Sequence, residues 1–136
     1  MKKGNLLNQP LSAVVAGLGH TDTVAIVDSG YPIPGNVVRV DLAVRPGIPS
    51  LSDVLRTVLE ELVVEEYYMA SEAEKNSPEM YSKVTNLLGD TKLSTIPHQE
   101  FKEKVQKAKA VIRTGEQTFF ANVLLVCGVS FGPDGK

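Results

Sequence analysis

The chain has 136 residues, of which 43% are hydrophobic and 22% charged, a balance that suits one globular domain with its own core. Fourteen Lys and Arg against sixteen Asp and Glu give a net charge of -2, so the basic footprint of a nucleic-acid binder is missing. One cysteine excludes a disulfide framework and a cysteine-rich zinc site, and the lack of Trp argues against a stacking platform for single strands.

Lys2 and Lys3 resemble the start of a secretion signal, but Asn8, Gln9, Pro10 and Ser12 interrupt any apolar region after them. No run approaches the ~20 apolar residues of a membrane helix, and a cytoplasmic protein is expected. The first helix is predicted from about Gln9 to Leu18. Asn8 can cap it, Pro10 suits its first turn, and Leu11, Val14, Val15 and Leu18 share one face. Thr23 to Asp28 reads as a buried strand closed by Ser29-Gly30, and a second strand is predicted from Val37 to Val44. Between them, Pro32 and Pro34 force a loop.

Ser50-Leu51-Ser52-Asp53 has a capping-box pattern. Leu51, Val54, Leu55, Val58, Leu59 and Leu62 then mark one packed helical stripe. A strand is expected over Val63 to Ala70, and a helix after Ser77-Pro78 that Gly89 ends. Leu93 to Ile96 reads as a short strand, Phe101, Val105 and Ala108 as a helix, and Ala110–Thr114 and Asn122–Phe131 as the last strands. Glu60-Glu61 and Glu65-Glu66 read as a solvated face around a helix end. Cys127, in an apolar run, reads as a core residue. The alternation implies an α/β domain over residues 1–131 with helices on both faces of a mixed or mostly parallel sheet, followed by a frayed tail at 132–136.

The two histidines, His20 and His98, both fall in loops beside predicted structure, where α/β folds place ligands. Asp28 ends an apolar strand, where a carboxylate is costly without a partner; it either serves a site or caps the turn that follows. Asp41 raises the same question less sharply. Gly17-Leu18-Gly19 follows a helix and lacks a third glycine, so it is no dinucleotide fingerprint. There is no phosphate loop, no H-E-x-x-H and no Gly-x-Ser-x-Gly elbow. His20, Asp22, Asp28 and His98 match no metal-ligand spacing. Imidazole and carboxylate groups without a cofactor signature suit proton transfer on a small polar molecule, or binding of one.

Leu18-Gly19-His20-Thr21-Asp22 and Asp28-Ser29-Gly30-Tyr31-Pro32-Ile33-Pro34 resemble the start of the D-ribose pyranase family. Pro97-His98-Gln99-Glu100-Phe101-Lys102, Arg113-Thr114-Gly115-Glu116 and Ala121-Asn122-Val123-Leu124-Leu125 extend the resemblance to about Phe131. Fucose mutarotases are similar at the Gly-His and Thr-Gly-Glu pieces. The resemblance implies a three-layer α/β/α domain, no cofactor, and a ring-shaped homodecamer with sites near subunit boundaries. It implies exchange of β-D-ribose between pyranose and furanose forms. By matching positions it makes His20 the catalytic acid and Asp28, His98, Phe120, Ala121 and Asn122 the sugar-binding residues, with Lys102 a weaker candidate. The family's ribose enzymes usually carry Tyr where this chain has Phe120, so a ring is kept and a hydroxyl lost. Action on another sugar, such as fucose, or sugar binding without catalysis are the competing expectations.

Overall fold

In a computed structural model that describes residues 1–132, the Asn8 side chain accepts the Leu11 backbone N–H and caps helix α1, Gln9–Gly17. Strands β1 (Thr23–Val27) and β2 (Val38–Asp41) follow. The Ser50 hydroxyl accepts the Asp53 N–H and starts α2, Leu51–Leu59. Strand β3 (Val64–Ala70), helices α3 (Glu72–Asn76) and α4 (Pro78–Leu88), strand β4 (Lys92–Ile96), helix α5 (His98–Val105), and strands β5 (Ala110–Arg113) and β6 (Val123–Cys127) complete the order.

All six strands join one sheet in the order β2-β5-β1-β6-β3-β4. The pairs β2–β5, β5–β1 and β3–β4 are parallel, while β6 runs antiparallel to both β1 and β3. The sheet is therefore mixed and mostly parallel. Side chains alternate across it. Val24 and Ile26 enter the larger core, with Leu11 and Val15 of α1, Leu51, Val54, Leu55 and Val58 of α2, and Met80, Val84 and Leu88 of α4. Ala25 and Val27 face the other way, onto Phe101 and Val105 of α5, with Tyr31 and Val37 beside them. This is the expected three-layer arrangement, with one layer much thinner than the other. Each fully buried Leu or Phe contributes about 1.5–3 kcal/mol.

The second strand stops at Asp41, short of Val44, because the Asp41 carboxylate accepts the Ala43 N–H and turns the chain. The last strand covers Val123–Cys127 instead of Asn122–Phe131: the Asn122 side chain accepts the Asp28 N–H at its start, and Cys127 already lies opposite Val64, the first residue of its partner β3. Helix α2 ends at Leu59 and leaves Leu62 in the following turn, and Ala108 lies in the turn after α5. Helix α3 was not expected. Glu65 and Glu66 lie within β3, not beside a helix end. The expected tail falls outside the described residues apart from Gly132. Cys127 is buried, which pushes its thiol up to about 11. Asp41 is held below the ordinary carboxylate range: partial desolvation acts upward, but the Ala43 N–H and the Arg113 guanidinium outweigh it.

Candidate active site

Asp28 follows β1 and His98 follows β4, while Asn122 immediately precedes the antiparallel β6. All three therefore lie at the same edge of the sheet, the carboxyl ends of its parallel strands, where such folds bind ligands. The Asp28 N–H donates to the Asn122 carboxamide oxygen at 2.9 Å, and the Gly30 N–H donates to Asp28 Oδ1 at 2.9 Å. Asn122 is 1% exposed. Burial pushes the Asp28 carboxyl above its ordinary value, against hydrogen bonds from Gly30 and Asn122 and the field of His98.

His98 sits in an aromatic setting. Its ring is stacked on Phe101 at 6.3 Å and meets the edge of Phe120 at 5.2 Å and that of Tyr31 at 6.4 Å. Burial and then the Lys102 ammonium hold the imidazole below its ordinary 6.5, with Glu72 and Asp28 opposing. Its neutral form is favoured near pH 7. His98 Nδ1 and the Tyr31 hydroxyl are both buried without a hydrogen-bond partner among the described residues. Burial also raises the Tyr31 phenol, and the Asp28 carboxylate adds to the effect.

The backbone of His98 is anchored separately. Its N–H donates to both oxygens of Glu72, at 3.0 and 3.2 Å. Pro97, at the cap position of α5, offers no side-chain acceptor, so Glu72 caps the helix from α3. Desolvation alone would raise the Glu72 carboxyl, yet backbone N–H donors and the Ser71 hydroxyl together hold it low.

Phe120 has φ of +58°, a left-handed conformation uncommon for a bulky residue. The Ser77 hydroxyl donates to the Phe119 carbonyl at 2.7 Å and the Asn122 N–H to the Phe120 carbonyl at 2.9 Å, which pins this turn. Ala121 is fully buried in the larger core, so it can face the cluster through its backbone alone.

His20 lies elsewhere. It is an exposed residue next to Thr21, whose N–H donates to the carbonyl of Cys127 at the far end of β6. Its Nε2 lies 3.1 Å from Glu65 Oε2. The five residues of β1 separate this edge from Asp28, a span of about 17 Å. One protomer thus brings Asp28, His98, Phe120 and Asn122 together but leaves His20 at the opposite edge. Two large cavities are lined by none of His20, Asp28, His98, Phe120 and Asn122. One of about 660 Å³ opens between the starts of α2 and α4, beside Glu116 and Phe119. Another, about 700 Å³, flanks α5 beside Tyr68 and Lys104. Among the described residues, no three His, Cys, Asp or Glu side chains group as a metal site would require. No described helix is long and apolar enough to cross a membrane.

Glu65, Glu72 and Tyr31 were missed as site neighbours. The paired glutamates in an otherwise apolar strand were the available signal for the first. Glu72 carried none, because its partner is a backbone group 26 residues away.

A histidine caged by aromatic rings thus lies beside a half-buried Asp28 tied to the buried Asn122. Residues 1–130 match the model of the RbsD / FucU transport protein family. This chain belongs to that family. A D-ribose pyranase of Clostridium perfringens is 47% identical over 131 residues, covering 96% of this chain and 100% of the relative. One of Symbiobacterium thermophilum is 50% identical over 131 residues, with the same coverage. The structure of Bacillus subtilis RbsD complexed with D-ribose superposes with a TM-score of 0.93 at 40% identity, over 96% of this chain and 100% of that one. The fucose mutarotase of Streptococcus pneumoniae in complex with L-fucose shares the family fold, with a TM-score of 0.77 at 18% identity, over 96% and 100% of the two chains.

Proposed function

We propose that this protein is a D-ribose pyranase that interconverts the β-pyranose and β-furanose forms of D-ribose. The observation that carries the reading is full-length identity of 47–50% to D-ribose pyranases. The polar cluster at the strand ends supports it.

Ring exchange opens the hemiacetal and recloses it through another hydroxyl. The anomeric hydroxyl loses a proton as the ring oxygen gains one. His20 is the shuttle, because an imidazole gives and takes protons near neutrality. Asp28 accepts hydrogen bonds from sugar hydroxyls, with Asn122 fixing its geometry. His98, neutral and with an unpartnered Nδ1, orients the ring, and Phe120 walls the site beside it. Ala121 contributes its main chain. Acid–base help of roughly 10²–10⁴-fold, about 3–5 kcal/mol, suffices for a reaction that already runs in water. No metal or other cofactor is needed for these steps.

The reading includes a ring-shaped homodecamer acting in ribose catabolism in the cytoplasm. The placement of His20 favours a composite site: the histidine of one copy reaches the Asp28–His98 cluster of its neighbour. Saturation-transfer NMR on ribose with the native protein tests the activity. Faster pyranose–furanose exchange is expected, with little effect on L-fucose. Acceleration for fucose alone would transfer the reading to the mutarotases, and ribose binding without acceleration would make the protein a sugar carrier.

A further inference from the structure

Glu65 is an extra residue in its strand. Val64 pairs with Cys127 and Glu66 with Val126, so two steps along β3 match one along β6. Such a bulge breaks the alternation and re-aims a side chain. Here the re-aimed carboxylate meets His20 Nε2 at 3.1 Å.

The other half of the pair is also built with care. Thr21 holds φ of +70°, an outlier for a β-branched residue. The turn around it is fastened by the Gly19 N–H to Asp22 Oδ2 at 2.8 Å, and by reciprocal backbone bonds of Thr21 and Asp22 with Cys127 at 2.9 Å. On the β3 side, the Gly128 N–H donates to the Val63 carbonyl at 2.8 Å. A Cβ at Gly128 would lie 3.1 Å from Val63 Cγ1 and 3.4 Å from Glu65 Cβ, so the glycine leaves room for the bulge. An exposed ion pair alone is worth little. A strained turn and a bulge that converge on one contact point to a role in chemistry.

We infer that Glu65 is a positioning residue for His20: its carboxylate takes the Nε2–H and leaves Nδ1 as the nitrogen that exchanges a proton with the sugar. An ionised carboxylate only accepts, so Nε2 carries the hydrogen and Nδ1 the lone pair in the neutral ring. In ring opening the O1–H electron pair becomes the C1–O1 π bond. The pair of the C1–ring oxygen bond passes to that oxygen. Nδ1 takes the proton from O1 and delivers it to the ring oxygen, so His20 ends as it began. Glu65 takes no part in the transfer itself and holds the tautomer.

This inference rests on His20 being the shuttle. The test is two-bond ¹H–¹⁵N NMR of the imidazoles in mildly alkaline buffer, with ribose exchange measured on the same samples. The native protein is expected to hold His20 in the Nε2–H tautomer. Glu65→Ala is expected to relax His20 from one tautomer toward the mixture of a free histidine, in which Nε2–H is only the majority form, and to slow exchange at saturating ribose by about tenfold or more, with KM little changed. An Nδ1–H tautomer in the native protein overturns the inference. So does an Ala variant that exchanges at the native rate, or one that slows while its Nε2–H fraction stays at the native level. Native-rate exchange by His20→Ala overturns the shuttle reading beneath it, an outcome separable from all of these.

Discussion

The Asn122 carboxamide oxygen accepts the Asp28 backbone N–H at 2.9 Å, across 94 positions of sequence. It ties the end of β1 to the start of β6, and the same side chain acts to lower the Asp28 carboxyl against the larger effect of burial. A residue expected to touch sugar thus also holds its neighbour in place. Asn122→Ala leaves the partly buried Asp28 N–H without its acceptor. A loss of about 1–3 kcal/mol is expected in urea unfolding, with weaker ribose binding by titration calorimetry. Native stability in the variant would mean the N–H finds water at no cost.

Asp28 is raised by burial above its ordinary 3.8. The unfolded chain therefore gives up this proton at lower pH than the folded one. The stability the group contributes is complete below the unfolded value and is lost as pH rises through the folded one. Asp28→Asn escapes that loss. The stability difference between Asp28→Asn and the native protein is expected to move in the variant's favour from acid to neutral pH, while ribose exchange falls. Denaturant unfolding at several pH values reads the difference; a flat profile would contradict the burial argument.

Glu72 supplies the cap that Pro97 cannot give to α5. Removing a helix cap costs about 0.5–2 kcal/mol, and the negative charge near the helix start adds to its effect. Glu72→Ala is expected to lose stability in that range and to speed amide exchange in the first turn of α5. Ribose affinity should fall too, since His98 opens that turn. Unaltered amide exchange there would show that the carboxylate is dispensable.

Phe120 adopts its left-handed backbone with an edge-on contact to His98. Tyrosine fits the same backbone and adds a hydroxyl to the site. One neutral hydrogen bond of about 0.5–1.5 kcal/mol to the sugar in the transition state corresponds to roughly two- to twelvefold in rate. Phe120→Tyr is expected to raise ribose exchange by that factor. An equal or lower rate would remove the missing hydroxyl as a limit on turnover.

The sequence exposed this site unevenly. Asp28 stood out because a carboxylate after Val24-Ala25-Ile26-Val27 is costly without a partner, but the sequence left a site role and a turn cap equally open, and its Oδ1 does cap the turn at the Gly30 N–H. Capped, striped helices such as α2 were legible for the same local reasons. Helix α3 was not, because Glu72–Asn76 is too short to carry an apolar stripe. Glu65 is exposed, as its charge suggested, but hydropathy does not reveal the bulge that turns it to His20; Glu66, less exposed, meets Lys92 and the Ser94 hydroxyl. The left-handed Thr21 and Phe120 were invisible, since neither residue type advertises positive φ. The separation of His20 from Asp28 was hidden as well. Both flank the same strand in sequence, and their distance follows from strand length and direction alone.

The central claim is that His20 of one copy moves protons for the sugar held by another. It is tested most directly by co-assembling His20→Ala and Asp28→Asn chains and measuring ribose pyranose–furanose exchange by saturation-transfer NMR. Each variant alone should lose most of the roughly 10²–10⁴-fold acid–base acceleration. The mixed assemblies should regain a substantial fraction, because some junctions pair an intact His20 with an intact Asp28. Exchange in the mixture no faster than the average of the two separate variants would contradict the composite site, and native-rate exchange by His20→Ala alone would contradict the proton shuttle.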